Sequence, residues 1–313
     1  MKSKVFIGVL ILVMAPSILF GATKPFEKVG TYAAQFLKIG TSARAAGMGS
    51  AFTAVANDAT AMYWNPAGLV EINRTQVTLN NVVWPADIDV YFAGAVFTTP
   101  YLPGTFGISV RALTMDPQEE RTIYMPQGTN RFFDAGDMSF GLSYAMYFTD
   151  KFSAGTTVHY IHMGLADKSV GAMVVDFGLL YRIGIQGMKL GMMIQSYGGQ
   201  IDFDDRSSKL PTLFRVGLSM DAYRQGAHAL LASGEFSHPS DNKERMNVGM
   251  EYGFNQFFFL RSGYNIDYDT QGLAWGLGFR IDTSQTSDLG FDYAWEDLGY
   301  LGAAHRVTLN FSY

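Results

Sequence analysis

The sequence predicts an all-β protein: a closed, antiparallel β-barrel of about fourteen strands that spans a bacterial outer membrane. Three observations support this prediction. From Thr75 onward, apolar and polar residues alternate in segments that repeat at about ten-residue spacing. Only 16% of the 313 residues are charged, whereas soluble domains carry roughly a quarter. The chain also ends in an uninterrupted alternation from Val307 to Tyr313, which is typical of the closing strand of such a barrel.

The first 22 residues have the composition of an export signal. Lys2 and Lys4 precede an apolar run over residues 5–20, and small residues follow at Gly21 and Ala22. This run is shorter than the ~20 residues that a membrane-spanning helix needs. We therefore expect a signal peptide over residues 1–22 that is cleaved on export, rather than an N-terminal membrane anchor. The absence of Cys suits an envelope compartment.

Residues 23–72 do not alternate and form a segment of their own. Ala, Gly and Ser dominate between Ser42 and Ala61. Residues 51–64 are predicted to form one short helix, because five of them are alanine, the best helix former. Asn65 should end this helix, since a residue that precedes a proline avoids the helical conformation. A helix this small and rich in alanine is expected to pack inside another structure.

Residues 73–313 are predicted to form the barrel. In one segment Met138 and Leu142 share a face with other large apolar residues, whereas Ser139 and Ser143 share the opposite face with Gly and Ala. A soluble sheet would present Lys, Glu and Thr on that second face, so we expect an apolar exterior and a crowded polar interior. The candidate strands are residues 75–83, 88–97, 104–114, 137–148, 152–163, 171–184, 188–197, 212–221, 227–236, 244–254, 257–266, 271–282, 286–296 and 304–313.

The lengths of the connections between these segments support the strand count. In outer-membrane barrels short periplasmic turns alternate with longer external loops. The long connections, residues 115–136 and 198–211, fall on the external side when the strands are counted back from the C-terminus. Short connections fall on the other side, at residues 149–151, 185–187, 222–226, 255–256 and 283–285.

The last predicted strand carries Val307, Leu309, Phe311 and Tyr313 on one face. We expect this face to contact lipid and to form the assembly signal of the barrel. The expected partners are therefore the lipids of the outer membrane and the barrel-assembly machinery.

Charged residues on the predicted inward faces are the candidates for a functional lumen. They can pair across neighbouring strands and hold the N-terminal segment, or they can form a substrate path or a carboxylate-binding site. Mixed signs in a crowded lumen favour mutual pairing. The candidates are Arg111, Asp176, Arg182, Arg215, Glu251, Arg261, Arg280, Asp282, Asp288, Asp292 and Arg306.

The sequence predicts neither a metal site nor a bound cofactor. His159 and His162 are three residues apart in a predicted strand, so they point to opposite faces and cannot share a metal ion. A stretch that begins at Asp267 starts like a calcium loop, but its twelfth position is Gly278 rather than Glu. The acidic residues within 202–205 could bind calcium at the surface, although a solvated acidic loop is the favoured interpretation.

No motif of an enzyme stands out, and the chain is predicted not to be one. Gly47 and Gly49 lack the third glycine and the preceding strand of a nucleotide-binding fingerprint. Neither a Walker motif nor a Gly-x-Ser-x-Gly elbow occurs, although a Ser–His pair from distant strands would not be visible in the sequence. The formal net charge of −5 argues against a nucleic-acid partner.

Three stretches before the first predicted strand resemble a known family. Residues 40–52, 56–59 and 64–69 read GTSARAAGMGSAF, ANDA and WNPAGL. This block resembles the PorV/PorQ family of outer-membrane proteins, which are relatives of the FadL channels. The resemblance implies a FadL-like barrel whose N-terminal segment, residues 23–72, lies inside the lumen as a plug.

The plug contains the candidate hatch residues. The turn at residues 65–68 is either a helix stop or a hatch whose movement opens the barrel. The plug and hatch candidates are Asn57, Asp58, Asn65, Pro66, Ala67 and Gly68.

The resemblance implies two different functions. The first is a role in type IX protein secretion or cell-surface protein handling, with secretion components or cargo proteins as partners. The second is a FadL-like channel for hydrophobic small molecules such as fatty acids or aromatic hydrocarbons. A structural surface barrel is a third hypothesis. A sealed lumen would favour the protein-interaction role, and a continuous apolar tunnel would favour transport.

Overall fold

The computed structural model describes residues 32–98, 103–203, 206–284 and 286–313. The predicted signal peptide over residues 1–22 lies outside these ranges, as do the first residues of the predicted plug. No helix within the described ranges is both long enough and apolar enough to cross a membrane.

Fourteen strands form a closed antiparallel barrel, in which the first strand pairs with the last. Each strand pairs with its neighbours along the wall, so the barrel leaves no open sheet edge in the membrane. The barrel strands are β1 (Gln76–Trp84), β2 (Ile88–Thr98), β3 (Thr105–Met115), β6 (Ala135–Tyr147), β7 (Phe152–Leu165), β8 (Lys168–Arg182), β9 (Lys189–Gly198), β12 (Leu213–Gln225), β13 (His228–Pro239), β14 (Arg245–Phe254), β15 (Phe258–Ile266), β16 (Leu273–Asp282), β17 (Asp288–Asp297) and β18 (Ala303–Ser312).

Every predicted strand overlaps one barrel strand, so the predicted fold and strand count are confirmed. The sequence pattern did not reveal two small hairpins in the long connections. Their strands span two to four residues, which is too short for an alternating pattern to be recognised. These strands are β4 (Gln118–Glu119) with β5 (Phe132–Phe133), and β10 (Gln200–Phe203) with β11 (Arg206–Lys209).

The two ends of the barrel differ. At one end, named here the loop end, the long connections join β3 to β6 and β9 to β12. At the other end, the turn end, short turns join β6 to β7 and β8 to β9. Short turns lie on the periplasmic side of bacterial outer-membrane barrels, and the chain terminates at this end.

The wall is apolar on the outside and polar on the inside, as predicted. Leu142 is 67% exposed on the outer face, whereas the adjacent Ser143 is 4% exposed and faces inward. Aromatic pairs lie at both ends: Phe148 and Phe152 have ring centroids 5.9 Å apart at the turn end. Trp275 packs against another aromatic ring, that of Tyr293, at 5.7 Å near the loop end. Aromatic residues at these two levels are typical of the membrane interfaces of an outer-membrane barrel.

The segment before β1 fills the lumen and is named here the plug, residues 32–72. It enters near the loop end, where Ala33 N donates to Lys209 O at 3.0 Å. It leaves at the turn end, where Glu71 forms salt bridges with Arg182 and Lys189. Its short elements are two helices, Ala43–Gly47 and Ala61–Trp64, and two 3-10 helices, Gln35–Lys38 and Pro66–Glu71. A third 3-10 helix, Gly299–Leu301, lies outside the plug between β17 and β18.

The predicted helix over residues 51–64 is wrong for most of its length, because only Ala61–Trp64 is helical. The backbone N–H groups of Phe52 and Thr53 donate to the Glu235 carboxylate, at 3.0 and 2.9 Å. Glu235 belongs to the barrel wall, far away in sequence. Tertiary hydrogen bonds therefore hold this stretch in turns where local propensity favours a helix.

A lipid-facing charge should be most disruptive at the middle of the wall. Leu309 is 51% exposed on the outer face and pairs across the ladder with Leu79. We expect Leu309→Arg to destabilise the barrel by ~2–4 kcal/mol, and Tyr313→Arg at the turn end by only ~0–1 kcal/mol, because the cost depends on depth. The fraction of barrel that migrates as the folded form in unboiled gel samples measures both effects. Equal losses in the two variants would contradict the assigned depth.

Candidate functional site

The candidate functional site is the contact between the plug and the inner wall. Glycines in the wall allow the plug backbone to approach closely. An added Cβ at Gly263 would lie 2.1 Å from Gly49 N, and one at Gly249 would lie 2.2 Å from Met48 O. The glycines and small residues predicted on the inward faces therefore make room for the plug rather than for a water-filled channel.

Asn65 fixes the end of the plug to the wall. Its side-chain nitrogen donates to Thr53 O at 2.8 Å and to Leu179 O of β8 at 3.1 Å. Its Oδ1 accepts a hydrogen bond from Ala67 N at 3.1 Å and thereby caps the 3-10 helix that begins at Pro66. Asn65 has an extended backbone with φ −170°, which confirms that the preceding helix ends there.

Pro66, Ala67 and Gly68 are buried against the wall and the rest of the plug. Ala67 O accepts a hydrogen bond from Ser153 Oγ of β7 at 3.1 Å. A Cβ at Gly68 would lie 1.9 Å from Ala56 O, so only glycine fits there. These contacts make residues 65–68 an anchor in this structure, and a hatch movement remains a hypothesis.

Arg44 joins the two other hatch candidates to the wall. Its guanidinium donates to Asn57 Oδ1 at 2.7 Å and lies 3.2 Å from Asp58 Oδ2. It also donates to both carboxylate oxygens of Glu251 in β14, at 2.7 and 2.8 Å. Such two-point pairing is the strongest form of an Arg–carboxylate contact. The resemblance block contains Arg44, but the candidate residues did not include it.

The ion pairs continue through the wall beyond Glu251. Arg261 Nε lies 2.6 Å from Glu251 Oε2, and Arg261 Nη1 lies 2.6 Å from Asp292 Oδ1. The Arg261 side chain is 1% exposed, so each charge has lost its water and depends on its partners. Alternating charges thus run from Asp58 in the plug to Asp292 in β17.

Two further ion pairs tie the plug to other sides of the wall. Arg306 Nη1 pairs with Glu296 at 2.6 Å, and Arg306 Nε donates to Gly40 O at 3.2 Å. Arg215 lies 3.6 Å from Glu235, the residue that binds two plug N–H groups. Glu235 and Glu296 were missed as candidates, although both occupy inward positions of predicted strands and the alternation could have identified them.

Arg111 has no carboxylate partner within hydrogen-bonding distance among the described residues. It donates to the backbone carbonyls of Phe36, Leu37 and Ile39, at 2.7 and 3.3 Å for the first two. Its guanidinium carbon also lies 5.0 Å from the ring centre of Tyr63. A cation at the C-terminal end of a short helix meets favourable carbonyl dipoles. Arg111 of the wall therefore holds the 3-10 helix Gln35–Lys38 of the plug in place near the loop end.

Asp176 binds a histidine and a backbone N–H. Its carboxylate lies 3.0 Å from His159 Nε2 and accepts from Ser196 N at 2.6 Å. His159 Nδ1 lies 3.3 Å from Ser139 Oγ. His159 is thus an inward residue with partners, whereas His162 is exposed on the outer face, and the two lie on opposite faces as predicted.

A small cavity lies between these groups and the plug. It is lined by Arg111, His159, Asp176 and Gln195 among others, and its volume is about 20 Å³. A cavity of this size holds about one water molecule. The Ser139, His159 and Asp176 side chains therefore face a space that has no room for an organic substrate in this conformation.

The remaining predicted lumen charges lie near the turn end. Arg182 and Arg280 are half-buried, and Arg280 lies 5.5 Å from the ring centre of Phe259. Asp288 is half-buried and accepts from Ser312 Oγ at 3.2 Å, whereas Asp282 is exposed at the rim. These residues lie at the periplasmic opening rather than in the packed lumen.

The acidic loops show no cluster of three metal-ligating side chains among the described residues. Asp269 lies 3.1 Å from Lys243 in the neighbouring external connection. The hydrogen bond from Lys243 lowers the pKa of the Asp269 carboxyl. Asp202 is described, but the acidic residues at 204 and 205 lie outside the described ranges.

Comparison with known protein families shows to which family the chain belongs. The sequence profile of the family described as type IX secretion system protein PorV matches residues 23–238, which include the whole plug and most of the wall. The chain belongs to the PorV family. No protein in a set of curated sequences matches it.

Solved structures show the same fold at low sequence identity. The toluene transporter TbuX of Ralstonia pickettii has a TM-score of 0.59 and 14% identity, over 86% of this chain and 96% of that chain. The toluene transporter TodX of Pseudomonas putida has a TM-score of 0.61 and 11% identity, over 86% and 96%. A FadL homologue of Pseudomonas aeruginosa gives 0.50 and 10%, over 87% and 97%. This PorV-family chain is therefore a FadL-like outer-membrane barrel, and its family and fold are those of secretion proteins and channels rather than enzymes.

Adding one methyl group to the wall should disturb the plug. We expect Gly263→Ala to destabilise the closed barrel by ~1–3 kcal/mol, the usual cost of overpacking, because its Cβ would overlap Gly49. The rate of trypsin cleavage at the buried Arg44 in detergent measures plug release. Gly234→Ala is the control, since no atom lies within 4 Å of its added Cβ. Equal cleavage in both variants would show that close packing at Gly263 does not hold the plug.

Removing Arg44, a buried cation of the plug, should lower the stability of the protein more than removing a cation on the surface. We expect Arg44→Met to lower the free energy of unfolding by ~3–5 kcal/mol, because it leaves a buried carboxylate short of a partner. Arg224→Met is the control: that side chain is 71% exposed beside Asp221, and such pairs contribute about 1 kcal/mol or less. Denaturant unfolding in detergent compares them. Similar losses would mean that the buried ion pairs do not anchor the plug.

Proposed function

We propose that this PorV-family barrel acts in type IX protein secretion, as an outer-membrane protein that binds other proteins at its loop end. Family membership supplies the secretion context. The observation that carries the proposal is a lumen filled by its own plug, combined with an exposed apolar hairpin on the external side.

The plug packs against the wall as a protein core does. Four large plug side chains are only 0–1% exposed: Trp64, Phe52, Met48 and Met62. Phe52 and Trp64 pack edge to face, with ring centroids 5.9 Å apart. Packing of this density leaves the outer surface and the loops as the places where a large partner can bind.

The hairpin of β4 and β5 carries the apolar surface. Ile123 and Tyr124 at its tip are each 88% exposed, and Met125 is 55% exposed. The tip is an ordered turn, in which Met125 N donates to Thr122 O at 3.1 Å. Large apolar side chains that project together into water typically mark a protein-binding site.

Transport of a hydrophobic molecule is the second candidate function. The FadL-like fold favours it, together with an apolar cluster near the loop end. Phe36 and Leu37 of the plug fill this cluster, which is otherwise formed by Ala34 of the plug and by wall and loop residues. A channel would require these two side chains to leave. The cluster also contains Ala34, Ile161, Met163, Val174, Ile201 and Leu210.

The first experiment compares surface and secreted proteins of a deletion strain with those of its parent. We expect many exported proteins to be lost from the surface or retained in the periplasm. Complementation with the triple variant Ile123→Ser, Tyr124→Ser and Met125→Ser should fail to restore them, although the barrel still shows heat-modifiable migration. Ile185→Ser is the control, because it removes an apolar residue that is 64% exposed at the turn end.

An unchanged protein profile in the deletion strain would overturn the secretion role. Uptake of toluene or a fatty acid would then be measured in the same strains, and reduced uptake would support the channel. Full complementation by the triple variant would place the protein-binding surface outside the hairpin tip.

A further inference from the structure

A row of inward-facing residues crosses β12, β13 and β14 near the loop end. Arg215 of β12 pairs across the ladder with Ser237 of β13, and Ser237 pairs with Arg245 of β14. The alternation of buried and exposed positions along these strands places all three side chains on the lumen side. Neighbouring strands are ~4.8 Å apart, so the small Ser237 alone separates the two arginines, which we name the arginine pair.

Each member of the arginine pair is stacked on an aromatic ring. The guanidinium carbon of Arg215 lies 4.8 Å from the ring centre of Trp64, in the plug. That of Arg245 lies 4.5 Å from the ring centre of Tyr268, in the loop after β15. Stacking covers one face of a guanidinium and leaves the N–H groups free at its edge. The rings therefore hold the two cations in place without accepting hydrogen bonds from them.

Several of these N–H donors have no acceptor. Arg215 is only 6% exposed, and neither its Nε nor its Nη1 forms a hydrogen bond with a described residue. The Nε of Arg245 is likewise buried and without a hydrogen bond in the described part of the chain. Leaving a buried, charged donor without an acceptor is costly. Two such side chains side by side therefore point to a ligand that accepts from both.

The neighbouring carboxylates are occupied by other partners. Glu235 lies 3.6 Å from Arg215 Nη1, beyond hydrogen-bonding distance, and its Oε2 accepts from two N–H groups of the plug. The carboxylates in the adjoining loops lie 2.7–3.1 Å from two lysines and a histidine: Asp241, Asp269 and Glu244. Among the described residues, no carboxylate thus lies within hydrogen-bonding distance of the arginine pair.

The two guanidinium groups face a common region of the lumen. Burial raises the pKa of the Tyr268 hydroxyl, whereas a hydrogen bond with Asn247 and the charges of Arg215 and Arg245 act to lower it. Both cations therefore lie close to the same hydroxyl group. This agrees with the ladder register, which places them at one level of the wall.

The geometry favours a tetrahedral anion over a carboxylate. The two oxygens of a carboxylate lie in one plane and are matched by a single guanidinium. Phosphate and sulfate direct their oxygens to several sides, so one ion can accept from two arginines that approach from either side of Ser237. The row lies on the inner wall, which separates it from the membrane lipids. The ion would therefore come from the water at the loop end.

We propose that the arginine pair binds one inorganic oxyanion, phosphate or sulfate, above Ser237. The ion joins β12 to β14 and supplies the acceptors that Arg215 and Arg245 lack. Because the two arginines stack on Trp64 and Tyr268, it also connects the plug with an external loop and stabilises the closed lumen. This site does not depend on the proposed role in secretion.

Equilibrium dialysis of the detergent-solubilised protein against labelled inorganic phosphate, at constant ionic strength in chloride, tests the proposal. We expect a single saturable site from which sulfate displaces phosphate and acetate does not. Arg245→Gln should weaken binding about tenfold or more, because it removes charged hydrogen bonds to the ion. Arg224→Gln is the control: it makes the same change of charge at a side chain that is 71% exposed at the turn end, and it should bind phosphate as the unmodified protein does.

A second variant supplies the anion from the chain itself. Ser237→Asp places a carboxylate between the two arginines, so it should abolish phosphate binding and raise the thermal midpoint measured without phosphate. Ser233→Asp is the matched control on the same strand. Ser233 also faces inward, but its ladder partners are Ser219 and Gly249. Its carboxylate would be buried without a cation, so this variant should have a lowered midpoint.

The remaining outcomes each overturn the proposal. Phosphate binding that does not saturate, that is unchanged in Arg245→Gln, or that is lost equally in Arg224→Gln would show that the arginine pair is not the site. Acetate that competes as well as sulfate would contradict the tetrahedral ligand. Equal losses of thermal midpoint in Ser237→Asp and Ser233→Asp would show that the two arginines do not require an anion.

Discussion

The structure depends on the closure of the sheet by the pairing of β1 with β18. In the hydrocarbon core no water can satisfy a free backbone N–H or C=O group, so an open sheet edge is not tolerated. Closure gives the backbone N–H and C=O groups of every strand a neighbouring strand to bond with. It also fixes which side of the wall is apolar and which is polar, because alternate side chains must face lipid or the lumen. The turn end, the loop end and the aromatic pairs near each end follow from this arrangement.

A closed barrel of this size encloses a lumen that must be filled by water or by protein. Here the N-terminal segment fills it, and the inner wall is adapted to that task. Glycines such as Gly249 and Gly263 let the plug backbone reach the strands. Buried charges on the wall, such as Glu251, find partners in Arg44 and in one another. Several cations and carboxylates of the lumen are therefore paired with the plug or with one another.

Because the plug fills the lumen, the outer surface and the loops are the places where a large partner can bind. An apolar hairpin tip at the loop end faces water. Exposed apolar side chains are unfavourable in the isolated protein, and a partner of matching chemistry would cover them. The hairpin tip is consistent with the PorV family, whose description refers to secretion.

The sequence by itself determined the barrel, its strands and the side of each strand that faces lipid. These features are local, because side-chain direction alternates within a strand regardless of distant residues. The conformation of residues 51–60 could not be predicted, since Glu235 of a distant strand binds their backbone. The partners of Arg44, Arg111 and His159 likewise lie on other elements. Only the tertiary structure decides such contacts, because they join residues whose proximity depends on the register of the closed wall.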